Sequence, residues 1–268
     1  MKICLLCDNK TIIDSYYLGE PAFSLYIEEG GKKILFDTGY SDVFLRNAEK
    51  MGIDLKSLDC LVFSHGHNDH TGGLKYLLPY LKDVILVTHP DCFEEKWDEG
   101  LPVGSPLSIE EIGEHVKELR LTKEVCPLTE KLFYLGEIPR IHGFEDNTVG
   151  FRIIDGEKEP DRCLDDSALA YDGEDGLVII SGCAHSGIVN IVDQACRITG
   201  KTHIQALLGG FHLLKEDERS IETVKHLKDR DIDVCYPCHC VSFISMYRMR
   251  EAGMDVRETG VGMKLEWR

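Results

Sequence analysis

Positive charge is what this sequence has least of. Its 268 residues carry 30 Lys and Arg against 47 Asp and Glu, a formal net charge of −17. No block of Lys or Arg is longer than a pair. Such a surface repels phosphate backbones, so nucleic acid is not an expected partner. Long apolar runs are missing too: none approaches the roughly 18 residues that span a bilayer, which sets a membrane partner aside. The first ten residues, MKICLLCDNK, lack the apolar stretch of a signal peptide. The eleven cysteines are therefore expected as free thiols in a cytoplasmic protein. No low-complexity segment and no interdomain linker breaks the chain, and its 43% hydrophobic and 29% charged content is ordinary for a globular protein. The length suits one large domain or two small ones, and without a linker a single domain over residues 1–268 is expected.

Strand signals fill the first third. KICLLC (2–7), FSLYIE (23–28) and KILFD (33–37) are short and apolar, and EGG (29–31) between the last two reads as a hairpin turn. DVFLRNAEKMG (42–52) has helical spacing with Gly52 as its stop. DCLVF (59–63) reads as a buried strand, and TGGLKYLLPYL (71–81) as a helix capped by Thr71. Residues 89–165 are less regular, apart from SIEE (108–111), which has the form of a capping box. GEKEPDRCLDD (156–166) reads as a polar loop. Strands then follow at 167–172 and 177–181, and the remainder alternates: helix 187–198, strand 204–208, helix 218–230, strand 232–236, helix 242–251 and strand 261–265. GKKILFDTG (31–39) and EDGLVIISG (174–182) echo each other as turn, apolar strand and small-residue loop. Two such halves would each present a loop at the same edge of a β-sandwich.

SHGHNDH (64–70) packs His65, His67, Asp69 and His70 into seven positions. Side chains alternate along an extended segment, so His65 and His67 project to one side. They are placed to hold one ion, with Asp69 and His70 holding a second nearby. Imidazole nitrogen and carboxylate oxygen suit Zn²⁺, although ligand type alone leaves iron or manganese open.

This stretch resembles the H-x-H-x-D-H signature of the metallo-β-lactamase superfamily. ILFDTG (34–39) is similar to its upstream element, in which Asp37 would orient a ligand histidine. SGCAHSGIVNIV (181–192), LGGFHLL (208–214) and YPCHC (236–240) resemble one branch, whose members are often labelled 7,8-dihydropterin-6-methyl-4-(β-D-ribofuranosyl)-aminobenzene-5′-phosphate synthase-like. The resemblance covers nearly the whole chain. It implies an α/β fold, the four-layer αββα sandwich, with metals at one edge between the two sheets.

The superfamily usually adds a histidine in a G-H-[ST] loop, a bridging aspartate and a late histidine. The G-H-[ST] loop is absent here. In VIISGCAH, Cys183 stands in the aspartate's place, and His185 follows two residues later as the substitute donor. Cys183 is read as a small buried hydrophobe in preference to a bridging thiolate. His239 in YPCHC is the late ligand. The implied metal set is His65, His67, Asp69, His70, His185 and His239. His142 lacks a matching context and is read as structural. Asp165 and Asp166 read as a charged loop, with metal contact as the alternative. CYPCH (235–239) also spells the c-type haem pattern, which requires export, and a zinc knuckle using Cys4, Cys7, Cys235, Cys238 and Cys240 is set aside in favour of packing.

The resemblance implies a metal-dependent hydrolase of a small substrate bearing phosphate or carboxylate. Two ions would polarise the scissile group and lower the pKa of a shared water toward about 7. Asp69 would hold an ion and orient the attacking oxygen. His212, after two glycines that let the backbone approach a ligand, would protonate the leaving group. Two alternatives stand beside this: the biosynthetic synthase that the branch label states, and a metal-binding protein without catalysis.

Overall fold

The computed structural model describes residues 1–268. In chain order its strands are β1 (Lys2–Cys7), β2 (Ser24–Glu29), β3 (Lys32–Phe36), β4 (Cys60–Val62), β5 (Ile85–Thr88), β6 (Glu95–Asp98), β7 (Leu101–Pro102), β8 (Glu118–Leu121), β9 (Cys126–Pro127), β10 (Leu132–Tyr134), β11 (Phe151–Ile154), β12 (Glu157–Pro160), β13 (Ala168–Gly173), β14 (Gly176–Ser181), β15 (Ile204–Gly209), β16 (Cys235–Pro237) and β17 (Lys264–Glu266). One sheet has the order β17-β1-β2-β3-β4-β5-β8 and a second the order β16-β15-β14-β13-β10-β9. A small third sheet, β12-β11-β6-β7, stands apart.

Period-two alternation builds the layers. On β1, Ile3 and Leu5 join the core between the two large sheets, while Cys4 and Leu6 face outward. On β14, Val178 and Ile180 turn inward, while Leu177 and Ile179 face outward. The outer face of the first sheet is covered by helix α1 (Val43–Met51) and the short helices α2 (Asn68–Thr71) and α3 (Leu74–Leu77). After α4 (Ile109–Gly113), helices α5 (Ile188–Thr199), α6 (Glu218–Lys228) and α7 (Phe243–Glu251) cover the second. The result is the expected αββα sandwich. Gly52 ends α1 in the left-handed region at φ 72°, and Ser108 and Glu111 form the expected capping box on α4. No helix is long and apolar enough to cross a membrane.

Three expectations need correction. The segment 71–81 is not one helix capped by Thr71. Helix α2 starts earlier, with His67 at its cap, and a 3-10 turn, Leu78–Tyr80, follows α3. Gly72 and Gly73 explain the break: a Cβ on Gly73 would sit 2.0 Å from the Thr38 carbonyl oxygen, so the chain turns where it is pressed against the loop after β3. Residues 89–165 contain the whole third sheet, and the expected polar loop 156–166 begins as strand β12. The final strands are also shorter than expected, Cys235–Pro237 and Lys264–Glu266.

β3, β4, β5 and β8 run parallel, as do β14, β15 and β16. Loops at the carboxyl ends of parallel strands are where α/β sheets place ligands. The two loops of the internal echo meet there: a Cβ on Gly182 would lie 2.2 Å from Ser64 Oγ and 2.9 Å from Asp37 Oδ2.

Candidate metal centre

Seven donor side chains converge at this edge in two groups. His65, His67 and His185 form the first. His67 Nδ1 lies 3.0 Å from His65 Nε2 and 3.2 Å from His185 Nε2. Asp69, His70, Cys183 and His239 form the second. His70 Nε2 lies 3.1 Å from Cys183 Sγ and 3.2 Å from His239 Nε2. Asp69 Oδ2 is 3.3 Å from His239 Nε2 and 3.7 Å from His70 Nε2. His65, His67, His70 and His185 are all buried. The structure thus brings all six expected donors together, with His185 joining His65 and His67, and His239 joining Asp69 and His70.

It also brings in Cys183. This thiol is buried, as expected of a small packed residue, and its sulfur also lies against His70 Nε2 in the group that holds Asp69. Asp165 and Asp166 are not a charged loop. Both are buried. Asp165 accepts from the Gly66 N–H at 2.7 Å and from Lys96 Nζ at 2.8 Å. Asp166 accepts from the Ser186 N–H at 2.9 Å. They hold the histidine loops in place from behind. His142 is outside the site and pairs with Asp193 at 2.8 Å.

The outer hydrogen bonds decide which nitrogens face inward with lone pairs. Ser64 has one hydroxyl proton, and Asp37 Oδ2 takes it at 2.7 Å. Ser64 Oγ must then accept from His65 Nδ1–H at 2.9 Å, so His65 Nε2 carries the lone pair. His70 Nδ1–H donates to Asp37 Oδ2 at 2.7 Å, which frees His70 Nε2 in the neutral ring. His239 Nδ1–H donates to Asn9 Oδ1 at 3.2 Å, and His239 Nε2 is freed. These atoms lie about as close as hydrogen-bonded pairs, and in the metal-free protein a proton on His70 and the Cys183 thiol proton lie among them, to be displaced when a cation binds. A cation satisfies them together, so the donor set fits metal ions.

Charge reinforces this. Burial, then the neighbouring imidazoles, push His65 and His185 well below the ordinary histidine range. Burial also opposes charge on His70, but Asp69 and Asp37 overcome it and hold His70 at about 9 in the metal-free protein. Burial raises Asp69, and His70 and His239 more than offset it, so its carboxyl titrates below the usual range. Backbone strain is concentrated here: Asp37, Ala184, His212 and His239 all have positive φ, between 47° and 60°.

Reading the sequence alone missed several supports. Asp8, buried at the end of β1, accepts from the His239 N–H at 2.8 Å, and Asn9 follows it. The signal available was polar residues directly after a buried strand. Lys96 and Asp161 were invisible because they reach the site from the third sheet and its loop.

The donors floor a cleft of about 660 Å³. His212 lies on its wall, its ring 4.3 Å from that of His185, and its Nδ1 is buried without a partner. Cys183, His212 and Cys240 also bring donor atoms near one another.

A two-sheet sandwich with histidines, an aspartate and a thiol at the edge between its sheets is the architecture of one family. The family model described as the metallo-beta-lactamase superfamily matches residues 18–194, and the chain belongs to that superfamily. Among curated relatives, it is 32% identical over 237 residues to the 7,8-dihydropterin-6-methyl-4-(beta-D-ribofuranosyl)-aminobenzene-5'-phosphate synthase of Methanocaldococcus jannaschii, covering 83% of this chain and 80% of the relative. An uncharacterized protein of the same organism is 30% identical over 254 residues, covering 93% and 94%. A crystal structure described as a metal-dependent hydrolase of the beta-lactamase superfamily superposes with a TM-score of 0.86 at 30% identity, covering 99% of this chain and 98% of that one.

Proposed function

We propose that the protein is a metal-dependent hydrolase of a small molecule bearing phosphate or carboxylate. The observation that carries this reading is the convergence of seven donor side chains, five of which, His67, Asp69, Cys183, His185 and His239, line one open cleft. His65, His67 and His185 would hold one ion. Asp69, His70, Cys183 and His239 would hold a second, with Cys183 added to the expected set. Zinc suits these donors, and iron or manganese are compatible with most of them. Bound ions supply Lewis acidity and a nucleophile at neutral pH.

The chain's own residues do the rest. Asp37 and Ser64 fix the rings of His70 and His65 from behind. Asp69, partly exposed at the cleft floor, would orient an attacking water through its carboxylate. His212, on the cleft wall beside His185, delivers a proton to the leaving group. The test is elemental analysis followed by a screen of phosphodiesters, phosphomonoesters and lactones with the metal-loaded protein. His212→Ala should keep its metal and lose about 10²–10⁴-fold in turnover. Loss of metal in that variant would make His212 a ligand instead.

The relative's name supports a second reading, a biosynthetic synthase that joins two substrates in the same cleft. Product analysis separates the two: appearance of the pterin–aminobenzene compound that names the relative would favour the synthase, and hydrolysis products alone would favour the hydrolase.

A further inference from the structure

The cleft is notable for which side chains line it. None of its sixteen lining residues is Lys or Arg. Above the donor floor, beside His212 and Cys240, its walls carry the amides of Asn9 and Asn68, the Tyr40 ring, the Ser242 hydroxyl, and the aliphatic Leu214 and Val241. Tyr40 and Leu214 are 54% and 58% exposed, so they present apolar surface at the mouth.

Three cations approach this floor from behind, and all are engaged elsewhere. Lys96, 1% exposed, sits between Asp161 and Asp165 at 3.1 and 2.8 Å. The Arg140 guanidinium donates to the carbonyls of His185, Arg162 and Cys163 at 3.3, 2.6 and 2.8 Å. Arg219 donates to the carbonyls of Glu145 and Ala184 at 2.7 and 3.0 Å. The exposed Lys215, beside Leu214, is paired with Asp217 at 3.9 Å. Among the residues that line the cleft, only the donor clusters, once loaded, and His212 can face an anionic group with positive charge; the exposed Lys10 and Lys215 stand outside the lining, next to Asn9 and Leu214. A second anionic group held away from the floor would meet the Asp69 carboxylate, walls without Lys or Arg, and a molecule of net charge −17.

We propose that the cleft selects substrates with a single anionic group, seated at the donor clusters, joined to an uncharged and largely apolar body that lies against Tyr40, Leu214 and Val241. Polyanions such as nucleoside polyphosphates fall outside this class. The inference rests on the metallohydrolase reading, because metal at the floor is what receives the anion.

The test compares two inert probes on the full-length protein. Metal content is first set by reconstitution with zinc and measured by elemental analysis. Failure to hold metal would sink the metallohydrolase reading itself. On the loaded protein, calorimetry then compares butylphosphonate with the linear four-carbon diphosphonate that carries a phosphonate at each end. The single-charge probe should bind at least about tenfold tighter, since the far phosphonate of the other is left unpaired in a partly desolvated site. Leu214→Arg supplies the missing partner at the mouth. It should strengthen binding of the diphosphonate by about tenfold and change butylphosphonate by less than about threefold. Equal or tighter binding of the diphosphonate by the unsubstituted, loaded protein would overturn the proposed substrate class and leave the metal site intact. Failure of both probes to bind the loaded protein would also overturn it.

Discussion

At the scale of single residues, neighbours decide the chemistry. Cys183 is buried, and burial followed by the nearby Cys240 pushes its thiol well above the ordinary cysteine range in the metal-free protein. A cation beside it reverses that logic, since a coordinating thiol is deprotonated outright. Cys183→Ala is expected to weaken the second ion while His65, His67 and His185 keep the first, which stepwise metal titration would show. His65→Ala should remove the first ion, checked by elemental analysis. His70 sets the pH dependence. Its metal-free pKa, about 9, lies above the ordinary value. Its ionisation therefore stabilises the metal-free fold fully below about pH 6.5, and that contribution is lost as pH rises through about 9. Binding an ion at His70 Nε2 must expel this proton. Apparent affinity for the second ion should rise with pH through about 9, with about two protons released at neutral pH, one from His70 and one from the Cys183 thiol, read by calorimetry in buffers of different ionisation enthalpy. The cluster at 64–70 was legible because its ligands are dense in sequence. The place of Cys183 beside His70 was not legible, because nothing in SGCAH shows that the thiol would meet that ring across 113 residues of chain.

Among the elements, the third sheet changes the picture most. It carries Lys96 under the histidine loop, where Asp165 links the ammonium to the Gly66 N–H. Lys96→Met would leave two buried carboxylates without a counter-ion and should cost about 3–5 kcal/mol, measured by denaturant unfolding. Adding Asp161→Asn and Asp165→Asn to that variant should restore part of the loss. Gly66 is fixed by contact as well: a Cβ there would come within 1.8 Å of the Cys92 carbonyl oxygen. Gly66→Ala should therefore destabilise by about 1–3 kcal/mol and loosen metal held by His65 and His67. Strongly patterned elements such as β1, β14 and α5 were legible within a residue or so, because each buries a continuous apolar face. The third sheet was not, because its strands are short and half-exposed and β12 is polar throughout.

For the whole molecule, the fold and the donor groups depend on each other. Loops from both large sheets meet at one edge, and removing metal takes away the cation that ties their donor side chains together. Chelation should lower the melting temperature, by linkage worth about 4 kcal/mol where free metal stood at a thousand times its dissociation constant. An unchanged melting temperature after verified metal removal would mean that the ions contribute nothing to folding. The layered architecture was readable from strand alternation, but the way the two donor groups divide was not, because it depends on how the sheets pack. That division also imposes an order in time. The first group draws on residues up to His185. The second stays open until β16 has docked beside β15 and carried His239 to Asp69 and His70. During synthesis, a growing chain can collect its first ion while the last strand of the second sheet is still unmade, and the second ion marks a chain whose sheet is closed.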